Sequence, residues 1–144
     1  MAEYVSIDEA RNASGMRLVL TQGVPGPWSE AAKAILHVKG IPYLRVAQAG
    51  GGNNDELVAW TGHANAPTAV WNDETPRAGR NEILLLAERI EPKPALLPAD
   101  PEARAIVFGL SHEIGGEDGW GWNRRHMLLA PMHQIQDAPP ALAE

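Results

Sequence analysis

Between Met16 and Ile90, apolar runs alternate with glycine and proline breaks in an order few folds accommodate: strand, helix, strand, short connector, a proline heading another strand, and a closing helix. Arg17-Leu18-Val19-Leu20 reads as a buried strand. It stops at Thr21-Gln22-Gly23-Val24-Pro25-Gly26-Pro27, whose glycines and prolines dictate a rigid loop. From Ser29 the spacing turns helical: Ala31, Ile35 and Val38 form one stripe, Ala32 and Leu36 lie beside it, and Glu30, Lys33 and Lys39 lie elsewhere. Gly40 supplies the stop and Pro42 enforces it. Tyr43-Leu44-Arg45-Val46 then alternates as a strand, closing a unit whose right-handed crossover makes its two strands parallel.

Gly50-Gly51-Gly52-Asn53-Asn54 is a turn, and Asp55 to Trp60 is long enough for a short helix capped by Asn54. Pro67 stands immediately before Thr68-Ala69-Val70-Trp71, a β-branched and aromatic run, where proline is tolerated only at the first position. Asn72-Asp73 turns the chain, and Pro76 confines the next segment to an edge strand. Glu82 to Ile90 is a helix burying Ile83, Leu86, Ala87 and Ile90, and Glu91-Pro92-Lys93-Pro94 ends it. Upstream, Ser6-Ile7-Asp8-Glu9 has capping-box spacing, which predicts a short structural helix from Ile7 toward Asn12 that ends by Gly15. This order is that of a thioredoxin-like domain.

A stiff linker from Pro92 to Pro101 leads to Asp100-Pro101, the N-cap and first-turn pair of a new helix with the stripe Ala103, Ile106, Val107, Leu110 and Ile114. Next come a break at Gly115-Gly116 and a second helix from Asn123 to Met132. Two helices cannot close a core of their own. They are expected to pack on the first domain, on a second copy of the chain, or on residues missing from a chain that stops at Pro139-Pro140-Ala141-Leu142-Ala143-Glu144.

The chain contains no cysteine, which removes a disulfide framework, thiolate metal ligation and a cysteine nucleophile. A net charge of −6 with scattered basic residues argues against nucleic acid as a partner. No apolar run is long enough to span a bilayer, and the start lacks the features of a signal peptide, so the expected location is cytoplasmic. Ser111-His112-Glu113 invites a zinc reading, but Gly116 stands where a second histidine would be needed, and no metal site is expected.

Several of these segments resemble the glutathione transferases. Gly26-Pro27-Trp28 and Val38-Lys39-Gly40-Ile41-Pro42-Tyr43 are similar to that family's Ser-Pro-Phe and Glu-Lys-Gly-Ile-Pro-Tyr segments. Asn65-Ala66-Pro67-Thr68 stands at its Val-Pro position, where the proline is cis, and Asn81-Glu82-Ile83-Leu84 at the start of its third major helix. The resemblance implies an α/β fold, with a thioredoxin-like N-terminal domain followed by an α-helical segment resembling the start of a glutathione transferase C-terminal domain. The implied division is an N-terminal extension at 1–15, a glutathione-binding domain at 16–91, and a helical segment at 99–144, truncated relative to the family. It also implies glutathione as cosubstrate, a small-molecule electrophile as second substrate, and a homodimer.

In that family the residue before the cis proline pairs its backbone with the cysteinyl part of glutathione, as an added strand would. By position this is Ala66, followed by Pro67; the alternative is a trans proline opening an ordinary strand. The acidic-Ser pair that anchors the γ-glutamyl group falls on Gly79-Arg80. Arg80 therefore becomes the candidate for a carboxylate, with Asn81 and Glu82 for an ammonium, against the alternative of a solvated first-turn residue. Arg77 is a second candidate for an anion. The family's thiol-activating Ser falls on Gly26. Ser29 and Thr21 remain as hydroxyl donors, although Ser29 reads more simply as the helix N-cap. Trp28 lines a cosubstrate pocket or packs in a core or interface. In Gly115-Gly116-Glu117-Asp118-Gly119-Trp120-Gly121-Trp122, the glycines permit unusual backbone angles, and the tryptophans either close over a ligand cleft or pin the helical segment.

Two functions are open to such a chain. One is a transferase that conjugates, reduces or isomerises a small electrophile with bound glutathione. The alternative is a non-catalytic ligand-binding or assembly protein of the same fold, favoured by the departures at Gly26 and Gly79-Arg80.

Overall fold

A computed structural model describes residues 3–23 and 25–133, so Val24 of the glycine- and proline-rich loop and the terminal Pro139 to Glu144 lie outside the described residues. The elements are β1 (Tyr4–Val5), α1 (Ile7–Asn12), β2 (Met16–Thr21), α2 (Pro27–Val38), β3 (Tyr43–Gln48), α3 (Asp55–Thr61), β4 (Thr68–Trp71), α4 (Arg80–Ile90), α5 (Pro101–Gly115) and α6 (Trp120–His133). They form two compact units: Met1–Ala49 with Asn53–Ala95, and Gly50–Gly52 with Leu96–Glu144.

In the first unit the strand order is β1-β3-β2-β4. β1 and β2 each pair parallel with β3, as a right-handed crossover requires, and β4 runs antiparallel to β2. Alternation along β2 sends Met16, Leu18 and Leu20 to one face, where they pack with Ala32 and Leu36 of α2 and Ile83, Leu86 and Ala87 of α4. Val19 goes to the other face and joins Val46, Ala10 of α1 and Leu57 of α3. Helices therefore cover both sides of the sheet. Beyond β4, Pro76 has no N–H to give a ladder, and the expected edge strand is reduced to one bridge in which Arg77 and Ala69 exchange both backbone hydrogen bonds at 2.8 Å.

Four expectations are corrected. α2 begins at Pro27, with Gly26 as N-cap, and Ser29 is its third residue rather than its cap. Proline fits the first helical position because its missing N–H would have no intrahelical partner there. The polarity at the end of α2 is also reversed, since Val38 is 48% exposed and Lys39 only 3%. The helix closes in a Schellman turn, with Ile41 N–H donating to Leu36 O at 2.9 Å and Gly40 N–H to His37 O at 3.0 Å. Lys39 Nζ donates to Pro94 O at 2.7 Å and forms an ion pair with Glu88 of α4. Gly40 sits at φ +64 with open space where a Cβ would stand, so the only cost of a side chain is the left-handed backbone. Gly40→Ala is expected to lower stability by about 1–2 kcal/mol, read from urea denaturation.

The third correction concerns Asn54. It occupies the N-cap position of α3, but its amide grips Ala49, accepting from Ala49 N–H at 3.0 Å and donating to Ala49 O at 2.9 Å. Closing its own loop takes the side chain away from the helix.

In the second unit Asp100 caps α5 as expected, accepting from Ala103 N–H at 2.8 Å. Ile106, Leu110 and Ile114 of the apolar stripe are exposed. The fourth correction is the start of α6 at Trp120, which places both tryptophans on a helix. The glycines before it serve close approach. A Cβ on Gly119 would stand 2.7–3.0 Å from the carbonyl oxygens of His112, Glu113 and Gly116, and one on Gly121 would stand 2.9 Å from that of Ile114. On α6, Arg124 lies over the Trp120 ring and Arg125 over the Trp122 ring. No helix among the described residues is long and apolar enough to cross a membrane.

Candidate functional site

The antiparallel ladder of β2 and β4 runs from Met16–Trp71 to Val19–Thr68, so Pro67 stands immediately before its last paired residue. On the other side of β4, Ala69 bridges Arg77, three residues before Arg80 opens α4.

Each group is held by its own element. The Ala66–Pro67 peptide is cis, as the resemblance implied. The approach to it is fixed by Thr68 Oγ1, which donates to Asn65 O at 3.0 Å, and by Gln48 Nε2, which donates to Ala64 O at 3.1 Å. Pro67 is buried and Ala66 half-buried, packing at the edge of the Val19 cluster. Arg80 and Asn81 are the first two residues of α4, after Gly79 as N-cap. Gly79 has no side chain to cap the helix; instead Glu82 Oε2 reaches back and accepts from Gly79 N–H at 3.0 Å. Burial pulls the Arg80 guanidinium below its ordinary pKa, yet arginine stays cationic in proteins. Arg77 points to its own loop, donating to Thr75 O at 2.5 Å and lying 3.8 Å from Glu74.

Trp28 is the second residue of α2 and half-buried. Ser29 is buried and faces a cavity of about 160 Å³ on the β3 side of β2, lined also by Tyr4, Thr21, Lys33 and Arg45. Trp28, Ala66, Pro67, Arg80 and Asn81 do not line it. Ser29 thus lies at this cavity, while Ala66 and Pro67 precede β4 and Arg80 and Asn81 open α4. Sequence reasoning missed Tyr4 and Arg45, because a two-residue strand carries no periodicity and Arg45 reads as a solvated strand residue. Among the described residues no group of three or more histidines and carboxylates is placed to hold a metal ion.

A sheet of this order, with helices on both faces and a cis proline heading its antiparallel strand, defines a thioredoxin fold of the glutathione-transferase type. The chain has a thioredoxin-like fold similar to that of glutathione transferases, and several solved structures share it. It is similar to a tau-class glutathione transferase from mango, Mangifera indica, with 24% identity, a TM-score of 0.64, and coverage of 90% of this chain and 56% of that one. It is similar to a glutathione transferase from Methylobacterium radiotolerans in complex with glutathione sulfonate, with 21% identity, a TM-score of 0.65, and coverage of 89% and 58%. A glutathione transferase homologue from Sulfitobacter with bound glutathione matches at 18% identity and a TM-score of 0.65, covering 91% and 61%. The chain thus spans somewhat over half the length of these structures. No protein-family model matches the chain, and no curated protein matches it.

Proposed function

We propose that the chain binds glutathione and uses its thiol to conjugate or reduce a small electrophile. The observation that carries this reading is the cis Ala66–Pro67 peptide standing immediately before β4. It is supported by the fold shared with transferases solved with glutathione or its sulfonate. In this reading the cysteinyl backbone of glutathione pairs with Ala66 as an added strand, with Pro67 fixing the direction of approach. Arg80 takes a glutathione carboxylate, aided by the dipole of α4, and Asn81 supplies polar contacts beside it. The thiol loses its proton and the resulting sulfur anion is held near the first turn of α2, where Trp28 offers an apolar wall and Ser29 is the candidate hydroxyl. The thiol proton passes to water, sulfur attacks the electrophilic carbon to form a thioether as the leaving group, chloride for an aryl chloride, departs, and the chemistry belongs to the cosubstrate.

Gly26 stands where the family's activating Ser would be, and Ser29 faces a separate cavity; both favour a second reading in which the site binds without catalysing. Calorimetry with glutathione tests binding, and a conjugation assay with an aryl chloride separates the two readings. Arg80→Ala is expected to weaken glutathione binding by about 1–3 kcal/mol; unchanged affinity removes Arg80 from the site. Absence of heat at millimolar glutathione defeats both glutathione readings.

The domain division at 1–15, 16–91 and 99–144, a cytoplasmic location and a homodimer belong to the same proposal. The exposed Ile106, Leu110 and Ile114 of α5 support a further packing partner. Light scattering on the purified chain tests the dimer.

A further inference from the structure

Gln48 is the last residue of β3, opposite Thr21 of β2, and its backbone carbonyl accepts from Gln22 N–H at 3.1 Å. Strand alternation puts its side chain on the face of Val46, where Val19 and Leu57 pack and where Ala66 meets the edge of the same cluster. From there the amide reaches across 16 residues, and Nε2 donates to Ala64 O at 3.1 Å in the segment leading to the cis Ala66–Pro67 peptide. The other amide atom, Oε1, is buried without a hydrogen-bond partner.

For stability alone this is a poor arrangement. Ala64 is exposed, so its carbonyl has access to water, and the bond from Nε2 replaces a contact that solvent would supply. A buried amide oxygen without a donor, by contrast, has lost its water and gained nothing. Methionine, of similar length, would fill the same space with no unsatisfied atom. A polar atom buried at such a cost calls for an explanation in what its side chain holds. Gln48 holds the approach to Pro67: its Nε2 ties Ala64 O from β3, and Thr68 Oγ1 ties Asn65 O from β4 at 3.0 Å. With two successive carbonyls tied immediately before it, the Ala66 backbone has little freedom to turn. We infer that Gln48 is a positioning residue, which aims the Ala66 backbone at an extended ligand that pairs with it as a strand. The inference rests on the reading that the cysteinyl backbone of glutathione pairs there.

The test is Gln48→Met in the full chain, followed by thermal unfolding, backbone NMR relaxation and calorimetry with glutathione. The variant is expected to melt close to the native chain or slightly above it, because the unsatisfied oxygen is gone and Ala64 O turns to water. Asn65 and Ala66 are expected to lose rigidity, read as a lowered heteronuclear NOE at their amides. Glutathione affinity is expected to fall about tenfold, the factor carried by one misdirected backbone hydrogen bond. A merely structural role would lower the melting temperature instead and leave affinity below it untouched. The inference is overturned if Gln48→Met binds glutathione as the native chain does. It is equally overturned if Gln48→Met and Gln48→Leu both melt far below the native chain, since the side chain would then serve stability. Should the native chain give no heat with glutathione, the glutathione reading falls by itself and relaxation decides the role of Gln48. Native rigidity at Asn65 and Ala66 in the variant then overturns the inference, and its loss keeps Gln48 as the residue that aims this backbone, toward a ligand other than glutathione.

Discussion

Replacing Glu88 with alanine is expected to destabilise the first unit by about 3–5 kcal/mol, because it leaves a buried ammonium without its counter-charge. The Lys39 side chain is 0% exposed and that of Glu88 16%, so water offers Lys39 no alternative. Its remaining partner would be Pro94 O at 2.7 Å, a single neutral acceptor for a group with three donors. The same pair replaced on both sides, Lys39→Met with Glu88→Leu, is expected to recover most of the loss, because the desolvation of two charges disappears with their attraction. Urea denaturation of the three proteins measures this. A loss below about 1 kcal/mol for Glu88→Ala would mean that the pair behaves as an exposed one.

The second large effect is expected at Arg17, a fully buried cation on β2. Its Nη1 donates to Gly15 O at 2.8 Å and its Nη2 to Asn72 O at 2.7 Å, and the guanidinium carbon lies 5.8 Å from the centre of the Trp60 ring. Burial lowers its pKa and the charge of Asp73 opposes that shift. The fork ties the start of β2 to the turn after β4, where Asn72 N–H also donates to Gly15 O at 3.1 Å. Arg17→Ala leaves two carbonyls without their charged donor and is expected to cost about 3 kcal/mol or more, at roughly 1.5–3 kcal/mol for each hydrogen bond to a charge. Arg17→Lys keeps the charge but cannot offer a planar fork to both carbonyls, so it is expected to remain clearly destabilised. Hydrogen exchange at Asn72 provides the local readout. A native unfolding midpoint with native protection in Arg17→Ala would refute the role.

Neither of these residues announces itself in the sequence. Arg17 opens an apolar run and Lys39 comes just after a helix, positions where a charged side chain ordinarily reaches solvent. Each is buried against partners brought in from far along the chain; Lys39 meets Pro94 across 55 residues, as Arg17 meets Asn72, although Arg17 Nε is left without a hydrogen bond. The start of α2 and the role of Asn54 depart from local expectation for a related reason. Ser29 and Asn54 both have side chains suited to capping, but Pro27 opens the first helix earlier, and Ala49 engages the amide of Asn54. By contrast, Gly40, Asp100-Pro101 and Ser6 act within a turn of themselves, and their roles are legible at once.

The candidate site divides along the same line. By itself the sequence determined the order of strands and helices, a proline at the head of β4, and the lack of any cysteine in this chain. These rest on local backbone preferences and on composition. Only the tertiary structure decided that β4 pairs antiparallel with β2 up to Val19–Thr68, that Ser29 lies beside the same cavity as Arg45, and that Lys39 is buried. Strand register and the burial of charge depend on which distant segments meet, and pairing energies across the sheet set that outcome rather than the propensities of neighbouring residues.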